Sequence, residues 1–232
     1  MRKLIVSIHS SLDGVVTGPE GDETNFMIWA QAGIEDSAPS FHENFENVDT
    51  ILMGHGTYED LSRKWPYVQD WPGVDDISLR LGELVNKTPK LVVTGEEIPD
   101  IKWGDFDPPR QLVGRDIEQQ IQALKEQDGG DIITFGSPIL IQSLTNVNLI
   151  HEFRILIHPV IVGEGQPLFR DIRGRKDLRL RQVRTFARGA TFHVAFVVAW
   201  APSDVASVVA AIDAFHAGRD PAAILAAERE AW

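Results

Sequence analysis

The chain has 232 residues, no cysteine, a formal net charge of −12 and a sequence pI near 5.0. The absence of cysteine excludes disulfides, thiolate catalysis and cysteine-ligated metals, and the acidic balance argues against broad binding to nucleic acid or anionic membranes. No apolar run approaches the roughly 18 residues of a membrane helix, and polar Ser7 and His9 interrupt the first run too early for a signal peptide. We therefore expect a cytoplasmic protein.

The first two thirds of the chain alternate apolar, β-branched runs with segments of helical spacing. Strands are predicted over residues 3–9, 48–53, 90–94, 110–113 and 131–135. Helices are predicted over residues 25–33, 38–47, 57–65, 76–86, 116–127 and 138–144. Such alternation is typical of a parallel sheet covered by helices.

From residue 150 the pattern changes to consecutive strands. A long β run from Ile150 to Gly163 is interrupted by Pro159, and residues 178–200 predict two strands that turn at Arg188-Gly189. The predicted fold class is thus α/β, with a mixed, mostly parallel central sheet flanked by helices and antiparallel C-terminal strands. One domain is expected over residues 1–200, followed by an alanine-rich helical extension over 201–232.

The basic stretch from Arg170 to Arg188 holds eight of the 22 Lys and Arg residues. Its alternation with Leu178, Leu180 and Val183 is typical of a charged edge strand, which suppresses unwanted pairing. Contact with a phosphorylated ligand or RNA is the alternative.

Glycine-rich turns stand between three predicted strands and the segments that follow them. They are Gly-His-Gly-Thr at 54–57, Thr-Gly at 94–95 and Gly-Ser at 136–137. Main-chain N–H groups at a helix N-terminus bind phosphates, so two such turns at one sheet edge could bracket a pyrophosphate. The turn at 54–57 does not match the dinucleotide fingerprint of doubly wound folds, because Glu59 replaces the third glycine.

Five blocks, taken in order, resemble the dihydrofolate-reductase-like family. They are SLDGVVTGPEG, ILMGHGTYEDLSRKWP, KLVVTG, DIITFGSPILIQSL and LIHEFRILIHPVIVGEGQPLF. The chain most resembles stand-alone relatives of the C-terminal reductase domain of the riboflavin-biosynthesis deaminase-reductase, over about residues 2–200. The resemblance implies a homodimer that binds NADPH in an extended cleft. It also implies hydride transfer to a small pterin-, pyrimidine- or carbonyl-type substrate, as in 5-amino-6-(5-phosphoribosylamino)uracil reductase.

By matching position, the resemblance assigns four groups of residues to the bound dinucleotide. The adenosine-side phosphates would lie along Gly54, His55, Gly56 and Thr57. The adenine ribose would lie near Thr94 and Gly95, and the pyrophosphate against Gly136, Ser137, Pro138, Ile139 and Leu140. The nicotinamide would be bordered by Val6, Ile8, Gly14 and Val16. Catalysis in such a site is mainly placement of the cofactor against the substrate.

Three further side chains are candidates for catalysis or substrate binding. Asp13 is predicted either to bind substrate and assist proton delivery, or to be the Asx-turn residue before Gly14. His9 ends the first strand and is expected to face the cleft, while Trp29 is a cleft wall or a core residue. The histidines and carboxylates have no metal-like spacing, so no metal site is predicted.

The sequence departs from the family's pattern where cations normally bind the 2′-phosphate that distinguishes NADPH from NADH. His55 replaces an arginine, and Glu96 and Glu97 stand where relatives often have a cation. Each charge-assisted hydrogen bond contributes roughly 1.5–3 kcal/mol, so NADH becomes a possible cofactor.

Basic residues are also missing from the expected substrate side of the cleft. Residues 4–62 contain eleven Asp or Glu but no Lys or Arg, so a phosphorylated substrate is expected only if Arg63, Lys64 or a distant arginine reaches in. Two hypotheses stay open. The chain is an NAD(P)H-dependent reductase, or a non-catalytic or differently liganded dimer that kept the fold without the phosphate clamp.

Overall fold

The computed structural model describes residues 1–18, 29–30, 33–34, 37–186 and 192–198. The strands are β1 (Leu4–Ser11), β2 (Val48–Gly54), β3 (Lys90–Thr94), β4 (Arg110–Val113), β5 (Asp131–Thr134), β6 (Glu152–His158), β7 (Leu178–Thr185) and β8 (Phe192–Val198). The α-helices are α1 (His55–Ser62), α2 (Asp76–Lys87), α3 (Ile117–Glu126) and α4 (Pro138–Asn146). Two 3₁₀ helices cover Ala38–Phe45 and Trp65–Asp70. The predicted turn at Arg188-Gly189, the extension over 201–232 and most of the predicted helix 25–33 lie outside the described residues.

All eight strands form one sheet in the order β4-β3-β2-β5-β1-β6-β8-β7. The first six in this order are mutually parallel, whereas β8 runs antiparallel to both β6 and β7. Parallel neighbours need a long crossover, which the helices of the first two thirds supply, while antiparallel neighbours can be joined by a short turn. The predicted α/β class, with a mostly parallel sheet and antiparallel C-terminal strands, is confirmed.

Helices cover both faces of the sheet, so the central strands are buried on both sides. Along β1, side chains alternate between two separate apolar clusters. Leu4 and Val6 pack in one cluster with Ile141 of α4, whereas Ile5 packs in the other with Tyr58 of α1. Neighbouring β1 side chains therefore point to opposite faces of the sheet, and only every second one can face a ligand bound on a given face.

Two predicted helices differ from the observed ones. The segment predicted as a helix over 38–47 is a 3₁₀ helix from Ala38 to Phe45, in which Phe41 and Phe45 both pack on Phe135. The helix predicted over 57–65 begins two residues earlier, because Gly54 has the extended conformation of an N-cap (φ −78°, ψ 166°) and His55 is already helical. In the described residues, no helix is long and apolar enough to cross a membrane.

Candidate dinucleotide and substrate site

The glycine turns lie at the same edge of the sheet. Strands β2, β3 and β5 are neighbours and parallel, so their carboxyl ends point the same way. The chain leaves this edge at Gly54, Thr94 and Thr134. In open α/β sheets this is the edge at which ligands bind.

The turns at 54–57 and 136–140, which we call the turn pair, touch each other. The Gly54 N–H donates to the carbonyl oxygen of Gly136 at 3.4 Å. A Cβ on Gly54 would lie 2.4 Å from Ser137 Oγ, and a Cβ on Gly136 would lie 2.8 Å from Thr57 Oγ1. Gly136 also has φ +147°, which L side chains rarely adopt. Glycine at both positions therefore lets two helix N-termini lie side by side.

Both helices of the turn pair begin without a side-chain cap. Neither Gly54 at α1 nor Ser137 at α4 provides a side-chain hydrogen bond to the first turn. A Cβ on Gly56 or on Gly95 would meet no atom within 4 Å. The first-turn N–H groups, with the positive ends of two helix dipoles, are therefore suited to an anionic group.

Side-chain charge near the turn pair is mostly negative. His55 is half exposed, and its Nε2 lies 3.7 Å from a carboxylate oxygen of Glu59. Glu96 and Glu97 are exposed directly after β3, where Thr94 Oγ1 donates to the Glu96 carbonyl oxygen at 2.7 Å. Anion binding at this edge therefore depends on the main chain.

Several residues predicted to contact the dinucleotide have buried side chains. Val6 is fully buried, and Ile8, Val16 and Leu140 are nearly so, all in the apolar cluster beneath α4. These four side chains pack in the core, and their assignment to the bound dinucleotide stays a prediction. Ile139 is 64% exposed beside the turn pair.

Gly14 lies in the loop after β1 and has φ +83°, with open space where a Cβ would be. Its neighbour Asp13 holds this loop against the loop that follows β6. The carboxylate accepts hydrogen bonds from Ser11 Oγ at 2.6 Å, from the Gly163 N–H at 2.8 Å and from the Val162 N–H at 3.1 Å. These three donors, the Ser11 hydroxyl first, lower the pKa of Asp13 to about 2. A carboxylate that stays ionised to such low pH is a poor proton donor, so the contacts favour a structural role.

A recess beside β1 and β6, which we call the β1–β6 cleft, opens on the face of the sheet that carries His9. Ser7 and His9 lie on this face opposite Arg154 and Leu156, their register partners on β6. The 3₁₀ helix Ala38–Phe45 and its preceding residue close the other side. The cleft is lined by Ser7, Ile8, His9, Ser37, Phe41, Asn44, Arg154, Leu156 and Phe186.

Aromatic rings surround the inner end of the cleft. His9 stacks on Phe41 with ring centroids 6.0 Å apart, and its Nδ1 lies 2.9 Å from Nε2 of buried His158. Burial lowers the pKa of His158 to about 4. Trp29 lies edge-on to His158 at 5.5 Å between centroids and is not among the lining residues, so it supports the cleft from behind.

Arg154 brings positive charge into the cleft from β6. Its Nε donates to Glu152 at 2.8 Å and its NH1 group to Asn44 Oδ1 at 3.1 Å. Buried Glu152 also accepts from Arg181 at 2.8 Å, so two arginines share one carboxylate. The sequence left open whether a distant arginine reaches the cleft and did not identify Arg154. The available signal was the spacing of Glu152 and Arg154, which are two residues apart and therefore on one face of β6.

The edge-strand interpretation of the basic stretch agrees with the fold, because β7 is the last strand of the sheet. Arg179 and Arg181 are exposed as predicted. Arg184 is only partly exposed and makes two 2.9 Å hydrogen bonds to Glu43 on the first 3₁₀ helix. This arginine therefore joins the edge strand to the wall of the cleft. In the part of the chain that the structure describes, no cluster of three or more His, Asp or Glu could hold a metal ion.

Comparison with known proteins identifies the family. The model of the RibD C-terminal domain matches residues 2–194. The chain belongs to the RibD C-terminal domain family. The predicted resemblance to the reductase domain of the riboflavin-biosynthesis deaminase-reductase is thereby confirmed.

Curated relatives of this RibD C-terminal domain protein include two proteins of Bacillus subtilis (strain 168), both uncharacterized. YyaP is 30% identical over 188 residues, which cover 81% of this chain and 91% of YyaP. YwjB is 24% identical over 192 residues, which cover 83% of this chain and 97% of YwjB.

Two solved structures share the fold. One, provisionally named a riboflavin biosynthesis protein and from Shewanella sp. PV-4, has a TM-score of 0.61 at 20% identity and covers 85% of this chain and 99% of its own. RibD of Acinetobacter baumannii has a TM-score of 0.57 at 14% identity and covers 86% of this chain and 58% of its own. At these identities the likeness shows the fold alone.

Proposed function

We propose that this RibD C-terminal domain protein is an NAD(P)H-dependent reductase. Its substrate would be a small molecule of pterin, pyrimidine or carbonyl type. The observation that carries the proposal is the turn pair, in which two uncapped helix N-termini touch at one sheet edge. Family membership supports it. The fold is shared with a protein from Corynebacterium diphtheriae described as pyrimidine reductase-like, at a TM-score of 0.52 and 11% identity.

The chain's residues fit a dinucleotide at the turn pair. The N–H groups of Gly56, Thr57 and Leu140 would hold the diphosphate, and the open space at Gly56 and Gly95 admits a ligand close to the main chain. When bound, the reduced nicotinamide would supply the hydride. The work left to the protein is to place the substrate and stabilise the charge that develops on it.

The β1–β6 cleft is the proposed substrate site. Phe41 provides an apolar wall, and Ser7 and Asn44 provide polar groups that can orient a flat heterocycle. The positive charge of Arg154 is partly offset by the carboxylate of Glu152. With Arg181 also on that carboxylate, the three side chains together carry one net positive charge. A carbonyl oxygen or an anionic group of the substrate would bind next to Arg154.

The proposed cofactor preference follows from the charges near the turn pair. A 2′-phosphate placed near His55 and Glu96 would meet one weakly basic ring and at least one carboxylate. We therefore expect NADH to bind at least as well as NADPH. The alternative, a non-catalytic or differently liganded relative, is favoured by the same absence of cations.

Fluorescence titration separates the two functions. The chain has six tryptophans, so quenching and energy transfer to reduced nicotinamide report binding directly. Saturable binding of NADH or NADPH with a Kd below about 100 μM supports the reductase. Competition by ADP, which carries the diphosphate without the nicotinamide, checks that the turn pair is the site. No binding of either dinucleotide supports the alternative.

A further inference from the structure

The two strands that flank the β1–β6 cleft bring two histidines into direct contact. β1 and β6 are parallel neighbours, with Ser11 in register with His158 and His9 two residues before Ser11 on the same face. Nδ1 of His9 lies 2.9 Å from Nε2 of His158, and the ring centroids are 5.1 Å apart. A hydrogen bond between two imidazoles requires one nitrogen to donate and the other to accept.

The environment of His158 makes it the acceptor whenever His9 is doubly protonated, because both nitrogens of an imidazolium are donors. His158 is only 1% exposed, with the Trp29 indole edge-on to its ring. Burial lowers the pKa of His158 to about 4, so the ring is neutral at physiological pH. A neutral ring protonated at Nδ1 accepts at Nε2. His9 can then donate from Nδ1 and exchange a second proton at Nε2 with a ligand in the cleft.

The other described side chains of the cleft cannot do this chemistry. The lining contains no Asp or Glu among the described residues, and guanidinium groups such as that of an arginine do not act as proton donors in proteins. Two described carboxylates near the cleft are engaged, Glu152 by Arg154 and Arg181, and Glu43 by Arg184. Within this part of the structure, His9 is the lining residue whose side chain is of a type that commonly serves as a general acid.

We propose that His9 is the proton donor of the reduction and that His158 is the residue that orients it. The assignment rests on the proposed function, because the electrons come from reduced nicotinamide dinucleotide. The substrate is a small imine or carbonyl compound. Its C=N or C=O carbon gains the hydride, and the π electron pair moves to nitrogen or oxygen. That atom takes the proton from Nε2 of the His9 imidazolium. The products are the reduced substrate, the oxidised dinucleotide and neutral His9, which regains its proton from water.

Two described groups around His9 act in opposite directions on its protonated form. From β6, His158 stabilises the imidazolium by accepting its Nδ1–H, whereas the Arg154 cation disfavours it. The 3₁₀ helix presents uncharged Phe41 and Asn44 to the cleft, and Trp29 packs on His158. Replacing His158 by an apolar ring of similar size therefore removes the stabilising contact and leaves the opposing charge.

NMR of ¹⁵N-histidine-labelled protein tests the pair without any substrate. The titration of the His9 ring is followed in wild-type protein and in His158→Phe. In His158→Phe the midpoint for His9 should move to lower pH by about half a pH unit or more, the size of one lost hydrogen bond. A His9 midpoint that is the same in both proteins would overturn the assignment.

Turnover tests the role itself, with dihydrobiopterin and diacetyl as imine and carbonyl probes. In His9→Asn, kcat should fall by about 100-fold or more and its dependence on pH should flatten, while the Kd of NADH changes less than about twofold. His42→Asn, an exposed histidine on the adjacent helix, is the matched control. Unchanged kcat in His9→Asn refutes the proposal. If neither probe turns over, the NMR result decides. If neither dinucleotide binds wild-type protein, the reductase assignment fails, and this role with it.

Discussion

The turn pair and the β1–β6 cleft lie on one molecule but offer a ligand different chemistry. At the turn pair, the groups suited to an anion are main-chain N–H groups of two uncapped helices, and the nearby charged side chains are mostly acidic. In the cleft, side chains from β1, β6 and a 3₁₀ helix converge, with an imidazole, a guanidinium and an amide. A region that binds through its main chain tolerates the loss of basic residues. A region that binds through side chains changes its chemistry with each substitution.

The largest expected effect is at the turn pair, where two glycines differ in their surroundings. Gly136→Ala should lower the free energy of unfolding by about 2–4 kcal/mol, because it strains φ +147° and places a Cβ 2.8 Å from Thr57 Oγ1. Gly56→Ala should leave stability unchanged or raise it by up to about 1 kcal/mol, since its Cβ meets no atom. Urea unfolding measures both.

The same two variants separate packing from binding. Gly56→Ala is expected to weaken NADH binding several-fold although the fold is intact, because its methyl group enters the space that the diphosphate would use. If this variant binds NADH as wild type does, the diphosphate does not lie over Gly56.

The next effect concerns the cleft and acid. The pKa of His158 is about 4 in the folded protein and near 6.5 when unfolded. The unfolded state therefore binds the proton more readily as pH falls. The contribution of His158 to the free energy of unfolding is fully present above about pH 6.5 and decreases toward pH 4, by up to about 3 kcal/mol. Urea unfolding at pH 7 and at pH 4.5 measures the loss.

In His158→Phe, the decrease in the free energy of unfolding between pH 7 and pH 4.5 should be clearly smaller than in wild-type protein. Some loss remains, because burial also lowers the pKa of His151, whose Nδ1 accepts from the Leu4 N–H. The comparison uses the difference between the two pH values, so a constant effect of phenylalanine on packing cancels. An equal loss in both proteins would show that His158 does not carry it.

The smallest expected effect is a change of cofactor preference at the turn pair. His55→Arg should tighten NADPH binding relative to NADH by about tenfold, the size of one charge-assisted hydrogen bond to the 2′-phosphate. Glu59 lies 3.7 Å from the His55 ring and would pair with the new arginine, so His55→Arg with Glu59→Gln should show the larger change. The ratio of the two Kd values is the measurement. An unchanged ratio in both variants would place the adenine ribose away from residue 55.

The sequence predicts the turn pair well because its determinants are local. Each turn is a strand, one or two glycines and a helix within about ten residues, and the contact between them follows from β2 and β5 being parallel neighbours. The burial of the Val6 and Leu140 side chains does not follow from the turns alone, since which face a residue takes depends on packing from both sides of the sheet.

The cleft was harder to predict because its members are far apart in the chain. Arg154 and Asn44 are 110 residues apart and meet because the 3₁₀ helix Ala38–Phe45 lies against β6. His9 was recognised from its place at the end of β1, but its contact with His158 spans 149 residues. No local pattern indicates such a pair.

Asp13 is one of several ties between the loop after β1 and the loop after β6. The Leu12 N–H donates to the Val160 carbonyl, Val15 forms a β-bridge with Pro167, and the Gln166 N–H donates to Thr17 Oγ1. These contacts hold the two loops together as one unit at the end of the sheet. A displacement of residue 13 would therefore also break the contacts of the chain near residue 163, so the two loops are expected to move together.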